Sequence, residues 1–316
     1  MNNNYKKLNN EYYKYVKYKK KYLKLRMDLS GGTLTEMDTV PPAEFTFVID
    51  IRYESSIKKY KTEDDKDFFL VNIKLNEDQG KPVLFALAGI SDTSFKKTTK
   101  VILAKLDELA TKFSELYLLQ YASFTSEQKS ACSARDEVKD TIKKDFEITD
   151  DDQIYKDDSN KLRLYTPELK MNEKIADHIH DLIKNNLGLT NVHLLGKCNG
   201  AWVVTLLLLK DAIYKGLYLG VPGIAFSVDE LRKIQKERLE QINFIFGWVS
   251  QDAFPFKWGD SNQEKERYDK MICDIEGEKN ITMKYKSYMH DNGGIEDIRS
   301  QHEIYPEFID KIVETL

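Results

Sequence analysis

The stretch Asn191-Val192-His193-Leu194-Leu195-Gly196-Lys197-Cys198-Asn199-Gly200-Ala201 carries an apolar segment into Gly-x-Cys-x-Gly, and Trp202-Val203-Val204-Thr205-Leu206-Leu207-Leu208-Leu209 follows at once. A short apolar run bounded by glycine reads as a buried strand, and the longer apolar run after it as a buried helix. A turn this tight forces its central residue, Cys198, into a strained backbone conformation, while Gly196 and Gly200 let neighbouring backbone pass closely. The thiol then stands exposed above the end of the sheet. The helix starting there aims the positive end of its dipole at the sulfur, which favours thiolate over thiol. The plain alternative is a buried cysteine in a strand-to-helix turn, because cysteines outside disulfides are commonly small core residues.

A thiol nucleophile needs a base, and the base needs an orienting acid. The chain has five histidines. His178 and His180 fall in a helical segment, 172–187, and His193 lies inside the strand, which leaves His290 and His302. The second apolar strand after the turn, Ile242 to Trp248, is followed by a polar turn containing Asp252. Along the chain the order is therefore nucleophile, acid, histidine.

That order, each member following a strand, resembles the α/β-hydrolase fold, and the resemblance covers residues 44 to 316. Strands are expected at Phe45–Tyr53, Phe68–Leu75, Pro82–Ala88, Glu115–Tyr121, Gly216–Gly223 and Ile281–Met289, and helices at Lys100–Phe113, Asn172–Leu187 and Ser227–Gln241. Such alternation predicts a mainly parallel sheet with helices on both faces. The resemblance implies an oxyanion hole built from the amides of Ile90 and Asn199, Ile90 lying in the loop Gly89-Ile90-Ser91-Asp92. It also bears on the base. Gln301-His302-Glu303-Ile304-Tyr305-Pro306-Glu307 is similar to the His-Glu-Ile-x-Pro-Glu ending of several small esterases of the fold, which favours His302, with His290 as the alternative. Members often show Gly-x-x-Asp after the acid strand, whereas Asp252 lies five residues past Gly247, and Asp260 is the fallback.

The 316 residues, 41% hydrophobic, suffice for one sizeable core. Cys132, Cys198 and Cys273 are odd in number and far apart, so no disulfide framework and no Cys-x-x-Cys metal pair is expected, and an intracellular, reducing compartment fits. No metal and no cofactor is expected. Ala201–Leu209, the longest strongly apolar run, falls short of the about 20 residues a membrane span takes, and the first thirty residues lack a secretory h-region.

Charge is uneven along the chain. Residues 1–28 hold nine Lys or Arg against Glu11 and Asp28, and this +7 leaves −11 for the remainder of a chain whose net charge is −4. Tyr5, Leu8, Tyr12, Tyr15, Tyr22 and Leu25 recur at helical steps, with Lys19 interrupting the stripe. A basic amphipathic helix suits a membrane surface or a protein partner, and sequence-specific nucleic-acid recognition is not expected. This Lys-Tyr-rich opening, followed by Gly31-Gly32, is similar to the N-termini of many proteins of giant amoebal DNA viruses. That resemblance implies a virion-associated protein matured at Ser30-Gly31-Gly32-Thr33, the alternative being an ordinary flexible linker.

Two units follow: an extension and linker over 1–43, and an α/β-hydrolase domain over 44–316 with an insertion at 122–171. Ser133 to Phe146 of the insertion is helical in pattern, and its aspartate clusters lack the pattern of a calcium loop. The short connection after Gly223 points to an open pocket and a small or extended acyl substrate. The leading expectation is a thiol-dependent hydrolase, similar in logic to dienelactone hydrolases, that cleaves an ester, lactone or thioester through an acyl-cysteine. The alternatives are an acyltransferase, since polyester synthases of this fold share the Gly-x-Cys-x-Gly turn, and a catalytically altered fold serving as a virion structural or interaction protein.

Overall fold

Strand β9, Val192–Cys198, is buried from Val192 to Lys197, as expected where helices cover both faces of a sheet. In this computed structural model the described residues are 35–37, 49–50, 52–61, 67–89, 92–121, 133–134, 154–156, 162–222, 228–250, 261–291 and 304–316. Strand β9 pairs in parallel with β4, Val83–Leu87, on one side and β10, Tyr214–Pro222, on the other. Outward from β10 lie β11, Asn243–Val249, and β12, Lys284–His290, both parallel. Outward from β4 come β5, Glu115–Tyr121, then β3, Asp67–Lys74, and β2, Ser55–Lys61, the last two antiparallel. A three-residue strand, β1, Thr35–Met37, closes that edge antiparallel to β2. The spatial order β1-β2-β3-β5-β4-β9-β10-β11-β12, with its exchange of β4 and β5, is that of the α/β-hydrolase fold.

The two faces of the sheet carry separate cores. On one lie α3 (Tyr165–Asp181), α4 (Asn199–Lys210), the short α5 (Lys236–Leu239) and α6 (Ser261–Lys279), over Leu194, Leu217, Phe244 and Phe246. On the other lie α1 (Asp92–Leu103), α2 (Leu106–Ala110) and α7 (Pro306–Thr315), over Leu195, Tyr218 and Ile245. Alternate residues of one strand thus serve opposite cores. Helix α4 is buried from Gly200 to Leu208, which explains why it is apolar on every side. Its C-terminal carbonyls are not left bare, because the Arg238 guanidinium donates to the carbonyls of Leu208 and Asp211.

Several boundaries differ from the sequence reading. The strand expected at Phe45–Tyr53 is replaced over its described residues by a turn, in which Asp50 accepts from the Arg52 amide at 3.0 Å. The strand proper is Ser55–Lys61, whose alternation of lysine with Ile57 and Tyr60 hides it. The helix expected at Lys100–Phe113 starts at Asp92 and breaks after Leu103, and that expected at Ser227–Gln241 is a 3-10 turn, Val228–Lys233, followed by α5. Helix α3 begins at Tyr165, inside the expected insertion. Ser133–Ala134 is not helical: as β6 it pairs with β8, Leu162–Leu164, which also pairs with β7, Ile154–Lys156. Among the described residues no helix is long and apolar enough to cross a membrane.

Candidate active site

Cys198 is the last residue of β9 and the residue before α4, with φ 56° and ψ −124°. An L-residue held there costs about 1–3 kcal/mol, a strain that persists only where its surroundings fix it. Two glycines do the fixing. A Cβ on Gly196 would lie 2.5 Å from Val204 Cγ2 and 2.6 Å from Ala201 Cα, so only glycine lets α4 fold back across its own strand. A Cβ on Gly200 would collide with the Ala88 carbonyl and lie 2.6 Å from that of Leu87, so the first turn of α4 rests on the end of β4. Cys198 itself is partly exposed, and it is not in a disulfide.

A polar network ties this turn to its neighbours. Asn199 and the fully buried Asn172 of α3 exchange amide hydrogen bonds, each 3.0 Å long. The second Asn199 Nδ2 proton goes to the Tyr121 hydroxyl at 3.2 Å, and that hydroxyl donates to the Ala88 carbonyl at 3.5 Å. Burial pushes the Tyr121 phenol well above its ordinary value, and the neighbouring Cys198 pushes it further the same way. Tyr121 therefore keeps the proton it donates to the Ala88 carbonyl. Sequence reading used Asn172 and Tyr121 only as element boundaries, because a buried amide inside a helix has no periodic signature; the polar residue straight after Cys198 was the available hint.

The other predicted residues divide into two groups. Ile90, Asp252, Asp260 and His302 lie outside the described residues, as do Gly31 and Gly32. Their flanking elements are in place. Strands β11 and β12 end side by side, with the Ser250 amide donating to the His290 carbonyl at 2.9 Å and the Ser250 hydroxyl to Asp291 at 3.2 Å. His290 belongs to β12, where its ring stacks on Tyr305 at 4.0 Å between centroids. Three strand spacings, about 14 Å, separate β12 from β9.

The remaining histidines are core and surface groups. His178 meets Phe68 edge-on, and His180 shares a 2.8 Å hydrogen bond with Tyr214. His193 is buried against Phe113 and hydrogen-bonded to the Tyr218 hydroxyl, and desolvation pushes its pKa down to about 4. Its folded value lies below the unfolded one near 6.5, so below that pH the unfolded chain binds a proton that the native protein refuses. Stability should be full above pH 6.5 and fall by about 3 kcal/mol by pH 4 through this group alone. Urea unfolding of His193→Gln against the parent at pH 7 and pH 4.5 checks it: the variant should lose less on acidification.

No family model and no curated protein matches the sequence. Solved structures similar to this chain include a CIB-like hydrolase from Thermoplasma acidophilum, 14% identical over 83% of this chain and 97% of that one, TM-score 0.44. Carboxylesterase CesB from Bacillus subtilis is 10% identical over 83% and 91%, TM-score 0.44. Acetyl xylan esterase 1 from Thermoanaerobacterium sp. JW/SL YS485 is 11% identical over 90% and 88%, TM-score 0.44.

Proposed function

We propose that this chain is a thiol-dependent hydrolase that cleaves an ester, lactone or thioester through an acyl-cysteine. The observation carrying this reading is Cys198 at φ 56° between a central strand and a buried helix, locked by Gly196 and Gly200. The thiolate attacks the carbonyl carbon, and the amides of Asn199 and Ile90 receive the charge on oxygen. The contact of Gly200 with Ala88 supports that pairing, since Ile90 follows Ala88 by two residues. The bond to the alcohol or thiol breaks as the leaving group takes a proton from the imidazolium. Water then gives its proton to the imidazole, attacks the thioester carbon and releases the acid, restoring the thiolate.

His302 is assigned as the base and Asp252 as its orienting acid. A Cβ on Gly220 would lie 2.6 Å from the Ile304 side chain, so two residues after His302 the chain lies on β10, one strand from Cys198. Ile304 thus lies nearer the strand of the thiol than Asp291, at the end of the outer strand, does. Asp260 immediately precedes α6, the place where aspartate commonly caps a helix, which favours Asp252 for catalysis. With a p-nitrophenyl ester, His302→Ala should lower kcat/KM about 10³-fold or more, and His290→Ala less than about fivefold. The reverse pattern moves the role to His290. Release of the acyl group to an added alcohol faster than to water would identify the acyltransferase variant of the same chemistry.

The basic residues 1–28 are assigned to attachment at a virion or membrane surface, with maturation after Gly32. Cleavage there would spare β1, which begins at Thr35. Intact mass of the natural protein should show a chain starting at Thr33, and a chain retaining Asn2 refutes the maturation.

A further inference from the structure

A cavity of about 120 Å³ opens where the ends of β10, β11 and β12 meet α7. The side chains that serve the α7 face there are Val221, Val249, Tyr288, Ile304, Tyr305 and Phe308. At one end it reaches Val221, on the strand beside the thiol. The pairing of β10 with β9 jumps from Gly220 opposite Lys197 to Pro222 opposite Cys198, leaving Val221 as the bulged residue between them. Val221 has φ 46°, a conformation that a β-branched residue adopts only under constraint, and bulges of this kind commonly re-aim a side chain beside a site. The other end adjoins Ile304, two residues after His302.

We infer that this cavity is the acyl subsite, and that it selects an uncharged aromatic or branched acyl group over one bearing a carboxylate. The inference rests on Cys198 as the nucleophile, whose acyl carbon would sit at the Val221 end with its substituent inside. Charge at the rim decides the class. Lys311 is held 2.7 Å from Glu314, with its ammonium 5.7 Å from the centre of the Tyr288 ring, and Glu307 brings a second carboxylate. Among the described lining residues, a carboxylate on the substrate would meet Glu307 and a lysine already paired with Glu314, beside a His290 ring stacked on Tyr305, and apolar walls beyond, where an ion without a partner costs several kcal/mol. An aromatic group instead meets the edges and faces of Tyr288, Tyr305 and Phe308.

The test uses the full-length Cys198→Ala protein, which holds ligand without turning it over, titrated in a calorimeter with phenylacetamide (the amide) and with 4-carboxyphenylacetamide (the carboxylate), whose ring carboxylate would enter the cavity. The amide should bind about tenfold more tightly than the carboxylate, and Val249→Phe, which fills the cavity, should weaken it by about tenfold or more. Tyr288→Ala, which enlarges the cavity, should shift preference toward naphthylacetamide, and it carries the test if Val249→Phe does not fold. Absence of amide binding, affinity unchanged in both variants, or a carboxylate bound as tightly as the amide overturns the inference. Wild-type protein that turns over no ester, yet whose Cys198→Ala form binds the amide and loses it with Val249→Phe, supports the cavity and removes only the nucleophile reading.

Discussion

Replacing Cys198 by alanine should reduce turnover of activated esters by about 10³-fold or more, the scale seen when the nucleophile of a cooperating group is removed. The expectation follows from where the sulfur sits. No other described side chain combines partial exposure, the N-terminus of a buried helix and a backbone conformation of this cost, and the residues around it are arranged to hold it there. Cys198→Ser retains the position but substitutes a hydroxyl, which a site fitted to a thiolate does not deprotonate efficiently, so it should keep only a small fraction of the rate. The informative measurement is a single turnover with p-nitrophenyl acetate followed by intact mass. Wild-type protein should gain one acetyl group on Cys198 and lose it with time, while the alanine variant should gain none. A wild-type rate in Cys198→Ala would end the assignment.

Among the described glycines, Gly200→Ala should be the most damaging substitution. Its new methyl group meets two main-chain carbonyls, those of Leu87 and Ala88, and unlike a side chain neither can rotate away. Overpacking of this kind costs about 3 kcal/mol, and relief requires α4 to lift from β4. That movement separates the Asn199 amide from the loop after Ala88, so activity should fall beyond what lost stability explains. Gly277→Ala in α6 is the control: nothing lies within 4 Å of its added Cβ, and a helical alanine should stabilise by about 0.5–1 kcal/mol. Urea midpoints that move together in the two variants would contradict this account.

The strand–turn–helix around Cys198 was legible in the sequence because three strong signals coincide there: an apolar run, two glycines at fixed offsets, and a second apolar run too long for a strand. Strand β5 was legible for the same reason, being apolar between clear breaks. Strand β2 was not, since Lys58, Lys59 and Lys61 fall on both of its faces and break the apolar pattern, nor was the start of α3 at Tyr165, where the sequence carries Pro167 instead of an apolar repeat. The hydrogen bonds joining Asn172, Asn199 and Tyr121 were illegible in principle. They join residues up to 78 apart, and only the sheet order brings those positions together. The two histidine candidates illustrate the difference between order and position: both come at or after the last strand on paper, and His290 is the final residue of β12, three strands across the sheet from β9.

The short strand β1 has a consequence for handling the protein. It covers only the part of β2 from Lys59 to Lys61, and among the described residues it is the strand at that edge of the sheet. A bare strand edge is a template on which another molecule adds its own strand, and lysines along it only discourage this. Trimming the chain to Thr33 keeps the cover, whereas trimming past Met37 removes it. Preparations of the shorter form should cloud on concentration and recover in dilute, low-salt buffer, where lysine repulsion is least screened.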